Sequence, residues 1–283
     1  MPVVEALPRV ALKNILFPTD FSERSAAALP YAAAVARCFQ AKVYVAHVAD
    51  SDANGAAAAT LEPSTISPQV AILDRCDLLN GIPYEALLQK GEIWDVLSEI
   101  IRQREIDLII LGTHGRGGFK KLLLGLVAEE IMSEAPCPVM GVGPKVPSRA
   151  QLPGNLRHIL FATDFASGSL AGLEYAASFA QKNHAELTVI HVLDQRVPPL
   201  APNEGVFHLL LSRDLDLVSP PDLVVKSGSP AAVILELVAE KESDWIVVGA
   251  HESPVGVLST RSVWPALHRL LCEAQSPVLT VRG

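Results

Sequence analysis

The chain lacks what export, membrane insertion or nucleic-acid binding would call for. Aromatic residues make up only 5% of its 283 positions and charged residues 19%. No run reaches the roughly 18 apolar residues that a membrane helix needs. Met1 to Phe17 has no basic start followed by a clean apolar stretch, so no leader is read there. A cytoplasmic protein with no membrane partner is expected. Positive charge is also in deficit: 23 Lys and Arg face 31 Asp and Glu, a net charge of −8. Such a field repels phosphate polymers at long range, which argues against nucleic acid as a partner while leaving room for one small anion in a local basic patch.

Cysteine is scarce as well. Cys38, Cys76, Cys137 and Cys272 form no CxxC pair and have no companion His at ligand spacing, so no metal site is predicted. They read as small buried hydrophobes. The chain also has no HxGH stretch, no SGGxDS loop, and, near its candidate ligand loops, no paired carboxylates or nucleophile–base set beyond Asp20, so no catalytic residue is assigned.

What is present is a repeat. Hydrophobic residues make up 49% of the chain, enough for packed cores. The segment Lys13-Asn-Ile-Leu-Phe-Pro-Thr-Asp-Phe-Ser returns as Arg157-His-Ile-Leu-Phe-Ala-Thr-Asp-Phe-Ala, a shift of 144. At that shift about 18 of the 38 positions from 13 to 50 are identical, among them Asp20 with Asp164, Tyr31 with Tyr175 and His47 with His191. The shift becomes 137 further on, pairing Gly91 with Gly228, Asp107 with Asp244, Gly112 with Gly249 and His114 with His251. Cys137-Pro-Val-Met and Ser276-Pro-Val-Leu pair at 139. Between the copies, Pro144 to Gly154 has linker composition. Two domains follow, residues 1–146 and 156–283.

Within the first copy, apolar β-branched runs predict strands at Asn14–Pro18, Lys42–Val48, Glu85–Gln89, Asp107–Gly112 and Pro138–Val142. Helices are expected at Ser25–Gln40, Glu92–Arg104 and Leu126–Glu134. Asp20 or Ser22 caps the first, and Pro30 should kink it or shift its first turn. Ser51–Pro68 reads as a mobile excursion. Continuous apolar strands separated by helices indicate α/β architecture, a parallel sheet covered on both faces, here twice in tandem.

In open parallel sheets ligands bind beyond the carboxyl ends of the strands, where strand order reverses. Two loops carry suitable chemistry there. One is Pro18-Thr19-Asp20-Phe-Ser. The other begins Gly112-Thr-His114-Gly115-Arg116 and runs through Lys120 and Lys121 to Gly125-Leu126-Val127. Glycines let backbone N–H groups face a phosphate without a Cβ in the way, and a helix starting near Gly125 adds free amides. His114 recurs as His251 without partner ligands, so it reads as a hydrogen-bonded loop histidine.

The spacing Gly112-x2-Gly115-x9-Gly125, the Pro18-Thr19-Asp20-Phe-Ser opening, the His47-Val48 strand end and the Cys137-Pro-Val strand resemble the universal stress protein family, over nearly the whole chain and twice over. The resemblance implies two doubly wound, five-stranded, Rossmann-like domains of the adenine nucleotide alpha hydrolase-like type, with strand order 3-2-1-4-5. It implies a regulatory adenine nucleotide (ATP, ADP or AMP), with magnesium as a companion the sequence leaves open, and a protein partner whose identity it does not give. Asp20 and the main chain of Val48 would hold adenine and ribose, and Gly112, Gly115 and Gly125 the phosphates. The family usually has Ser or Thr after the last glycine; Leu126 stands there and should weaken ATP.

In the second copy Glu252 replaces the second glycine and Trp264-Pro265 falls near Gly125-Leu126, so that site is read as lost for triphosphate. A ligand-free scaffold is the alternative reading, and an adenylate-handling enzyme a third. The edge strands at Pro138–Val142 and Pro277–Val281 are expected to pair the two copies as an intramolecular pseudo-dimer, and a homodimer of whole chains is a further expectation.

Overall fold

Strands form where the β-branched apolar runs lie, and several of the helices between them begin at a capping serine or with a proline in the first turn. The computed structural model describes residues 10–49, 77–113, 124–147, 155–164, 170–193, 217–250 and 263–282. Ser51–Pro68, read as an excursion, lies outside the described residues.

The first repeat contains β1 (Asn14–Pro18), α1 (Glu23–Ala26), α2 (Leu29–Phe39) and β2 (Lys42–Ala49). After a short 3-10 turn at Asp77–Leu79 come β3 (Tyr84–Lys90), α3 (Ile93–Gln103), β4 (Leu108–Gly112), α4 (Leu126–Glu134) and β5 (Val139–Val142). The second repeat contains β6 (His158–Ala162), α5 (Leu170–Asn183), β7 (Glu186–Leu193) and β8 (Asp222–Ser227). It ends with α6 (Pro230–Glu240), β9 (Trp245–Ala250), α7 (Val263–Glu273) and β10 (Val278–Arg282).

The expected single helix over Ser25–Gln40 is two helices. Proline has no N–H to donate and its ring crowds the carbonyl four residues back, so Pro30 is accommodated in the first turn of α2 and the chain breaks at Ala27 and Ala28. The cap of α1 is Ser22, whose side chain accepts from the Ser25 N–H; Asp20 holds Ser22 instead, its Oδ1 accepting from the Ser22 N–H at 2.9 Å and from Ser22 Oγ at 2.6 Å.

Strand order is β3-β2-β1-β4-β5 in the first repeat and β8-β7-β6-β9-β10 in the second, the expected 3-2-1-4-5 twice. Pairing is parallel, with Leu16 opposite Tyr44 and Ile109, and Leu160 opposite Thr188 and Ile246. The central strands β1 and β6 are apolar on both faces because helices cover both: Ile15, Leu16 and Phe17 are buried, as are Ile159, Leu160 and Phe161. Two compact units emerge, Leu12–Val139 on one side and Met1–Ala11 with Met140–Gly283 on the other. The division falls inside β5, ahead of the Pro144–Gly154 segment.

The repeat extends to details invisible in composition. Asp107 Oδ2 accepts from the Lys13 and Asn14 amides at 2.7 and 2.9 Å, and Asp244 Oδ2 from those of Arg157 and His158 at 2.7 and 3.1 Å. Gly91 and Gly228, at the exits of β3 and β8, share φ of 148°, a conformation that excludes most side chains. Burial pushes the Cys137 thiol up to about 12, and Cys272 is buried, whereas Cys38 and Cys137 are only half-buried, short of the full burial expected. Among the described residues no helix is long and apolar enough to cross a membrane, and no His, Cys, Asp and Glu group could hold a metal ion.

Candidate functional site

At the carboxyl ends of β1, β2 and β4 the first repeat builds a tightly specified crevice wall. The ladder between β1 and β2 ends at Pro18 opposite Ala46, and Thr19 continues it by one bond, its N–H donating to Ala46 O at 2.8 Å. Strand β2 runs on past that point through His47, Val48 and Ala49, paired only with β3 on its other side. The main chain of Val48 therefore passes the end of β1 instead of pairing with it. Pro18, Thr19, Asp20 and Val48 are all half-buried.

Thr19 is the knot of this wall. Its Oγ1 accepts from the Phe21 N–H at 3.0 Å and lies 3.0 Å from Ser25 Oγ, while its carbonyl meets His47 Nδ1 at 2.8 Å. Phe21 adopts φ of 58°, and its ring packs against the His47 ring with centroids 4.7 Å apart. Neither Phe21 nor the His47–Thr19 bond was singled out in the sequence. The signal available was the recurrence of both residues at the constant shift, as Phe165 and His191.

The glycines divide into two cases. Gly112 ends β4, and a Cβ built on it would stand 2.5 Å from Arg24 O and 2.9 Å from Ser25 Cα. Its smallness is thus required by the close packing of α1 over β4, independently of any ligand. In the second repeat a glycine of the covering helix comes close to the sheet as well: a Cβ on Gly172 would lie 2.7 Å from the Phe161 ring and 3.1 Å from Gly249 Cα. Gly125 is the N-cap of α4 with φ −67° and ψ 142°, a conformation open to any residue, and its N–H donates to Thr113 O at 2.9 Å. That donor is not available to a phosphate.

The donors that remain at α4 are the amides of its first turn. Gly125 has no side chain to cap this end of the helix, and Leu126, its first residue, is 84% exposed, with Val127 behind it half-buried. Uncapped amides and the positive end of the helix dipole favour an anion, and Glu129 in the same turn opposes one. His114, Gly115 and Arg116, together with Lys120 and Lys121, lie outside the described residues. The structure thus brings together Pro18, Thr19, Asp20, Val48, Gly112, Gly125, Leu126 and Val127 at the carboxyl side of the sheet, as expected from the strand order.

The corresponding helix of the second repeat, α7, begins at Val263 and carries Trp264 and Pro265 in its first turn. Proline has no N–H, so this helix end offers one donor fewer. His251 and Glu252 lie outside the described residues.

Comparison with known proteins agrees on both halves. The model of the universal stress protein family matches residues 11–143 and again 155–282. A universal stress protein of Methanocaldococcus jannaschii is 30% identical over 138 residues, an alignment that covers 46% of this chain and 81% of the relative. One of Thermus aquaticus is 30% identical over 138 residues, covering 45% of this chain and 96% of its own length. Among solved structures, a universal stress protein from Archaeoglobus fulgidus shares the fold along 95% of this chain and 97% of its own, with a TM-score of 0.74 at 20% identity.

Proposed function

This chain belongs to the universal stress protein family, and on that premise we propose that its first repeat binds one adenine nucleotide, ATP or a shorter adenylate, as a regulatory ligand. The observation that carries the reading is the place of α4: it starts at the carboxyl side of the sheet with Gly125, which has no side chain to cap it. A helix end normally satisfies its first amides with a capping side chain or solvent. Here they lie across the sheet's switch point from a loop in which Thr19, Asp20 and Ser22 are held by hydrogen bonds. The overhang of β2 supports main-chain recognition of a base by Val48, and Asp20 lies on the same loop as Thr19. Gly115 and Arg116 would complete the phosphate cradle. No residue of the chain is assigned to magnesium.

The second repeat is proposed to serve as scaffold, because Pro265 removes a donor and Glu252 adds a carboxylate where phosphate would approach. The two repeats are proposed to meet through their last strands as a pseudo-dimer. Domain boundaries at 146 and 156 and a cytoplasmic location belong to the same reading.

A ligand-free scaffold throughout is the second reading, and one observation favours it: the packing of Gly112 against Arg24 and Ser25 explains that glycine without phosphate. Calorimetric titration of the full chain with ATP and AMP separates the two. One site per chain, removed by Gly115→Val, supports the nucleotide reading. No heat with either nucleotide, and no adenylate in the mass spectrum of heat-released material, overturns it in favour of the scaffold.

A further inference from the structure

Phe21 is in an expensive conformation for a residue of its kind. Its φ of 58° belongs to the left-handed region, where a Cβ crowds the backbone. The core does not explain it. Phe17, Phe161 and Phe179 are fully buried in extended or helical segments, whereas Phe21 is only half-buried in a loop. Such a residue persists only where its surroundings over-determine it, and such residues concentrate where a ligand is held.

The surroundings do over-determine it. The Phe21 N–H donates to Thr19 Oγ1 at 3.0 Å, and Thr19 is itself tied to Ser25 and to Ala46. On the far side, Asp20 Oδ1 grips both the N–H and the hydroxyl of Ser22. The ring then rests on His47 at a 4.7 Å centroid separation and a 50° tilt, and His47 is fixed by its bond to the Thr19 carbonyl. Backbone, hydroxyls and imidazole all position one aromatic ring at the carboxyl ends of β1 and β2. The same strand ends carry Asp20 and Val48.

We propose that Phe21 is the stacking residue for the ligand's base, a binding residue that selects ligands bearing a planar ring. The inference rests on the nucleotide reading above and specifies what that site reads. A preorganised ring gives stacking without the entropy of ordering a side chain, and stacking is tolerant of which base is offered. Recognition of adenine as such would then fall to the main chain of Val48, and Phe21 would contribute equally to every adenylate.

The test is calorimetric titration of the full-length chain with ATP and AMP, in wild type, Phe21→Leu and Phe21→Trp. Leucine keeps apolar bulk and removes the π face; tryptophan keeps an aromatic face. Phe21→Leu is expected to weaken ATP and AMP by the same factor, about 5- to 150-fold, the measured range for loss of one stacking contact. Phe21→Trp is expected to retain binding. Unchanged affinity in Phe21→Leu overturns the stacking role and leaves the nucleotide reading standing. Equal loss in both variants, with a lowered melting temperature, marks a merely structural residue and also overturns it. A wild-type chain that binds neither nucleotide overturns the nucleotide reading, and the role of Phe21 with it.

Discussion

The Nδ1 of His47 stands 2.8 Å from the main-chain carbonyl of Thr19, and in the second repeat His191 Nδ1 stands 2.9 Å from the carbonyl of Thr163. A carbonyl only accepts, so both imidazoles donate from Nδ1, and each ties the end of one strand to the loop leaving its neighbour. The two bonds differ in environment, because His191 is buried and His47 half-buried. His191→Ala should therefore cost more, about 2–3 kcal/mol against about 1 kcal/mol for His47→Ala, since a buried carbonyl left unpaired loses both its bond and its water. Urea midpoints of the two variants check the order.

Gly112→Ala should destabilise the chain whether or not nucleotide is present. The new methyl would meet the backbone at Arg24 and Ser25, which cannot swing aside as a side chain would. Overpacking of this kind costs about 1–3 kcal/mol. A lowered melting temperature in nucleotide-free protein is the expected result.

Leu126→Ser tests the phosphate end alone. Because Leu126 is 84% exposed, its removal leaves no cavity, and the unliganded melting temperature should hardly move. A restored hydroxyl should raise ATP affinity about 10- to 100-fold and leave AMP affinity unchanged, since AMP lacks the distal phosphate. Calorimetry with both nucleotides gives the ratio directly.

His158 gives the second repeat an acid sensitivity that the matching position of the first, Asn14, does not supply. Its ring is buried, with Nδ1 2.8 Å from Ser243 Oγ and Nε2 2.9 Å from Thr188 Oγ1, while the matching position of the first repeat is Asn14. Burial pushes the imidazole below its ordinary value; Lys241 adds to this, and Glu186, Asp244 and Asp222 oppose it. The unfolded chain therefore takes up a proton that the folded chain resists. The contribution of this group is complete above about pH 6.5 and is lost as pH falls towards the depressed folded value. His158→Asn should flatten the fall in melting temperature between about pH 7 and pH 5.

The strands were legible because β-branched apolar runs of strand length have few other uses, and the repeat doubled every such signal. Pro30 announced a disturbance in the first helix, but whether a proline kinks a helix or restarts it depends on packing that sequence does not record. Asp20 and Ser22 are equally good caps on paper; the geometry of the turn at Phe21 decides for Ser22. Gly112 was ambiguous for a deeper reason. Close approach of a helix and close approach of a phosphate both demand the absence of a Cβ, so one residue answers to either cause. The His47–Thr19 bond was illegible because its acceptor is a carbonyl, which every residue type supplies.

Pro265 has a second effect besides the missing donor at α7. In a first helical turn proline loses no internal bond, yet it narrows the conformations open to the unfolded chain, a gain of about 0.4–1 kcal/mol. On the proposed reading, the residue that withdraws the second repeat from phosphate therefore also favours its last helix unaided. With nucleotide bound as proposed, the first repeat instead gains stability with the logarithm of free nucleotide once this exceeds the dissociation constant. On that reading one half of the chain holds a constant stability while the other rises and falls with the adenylate supply.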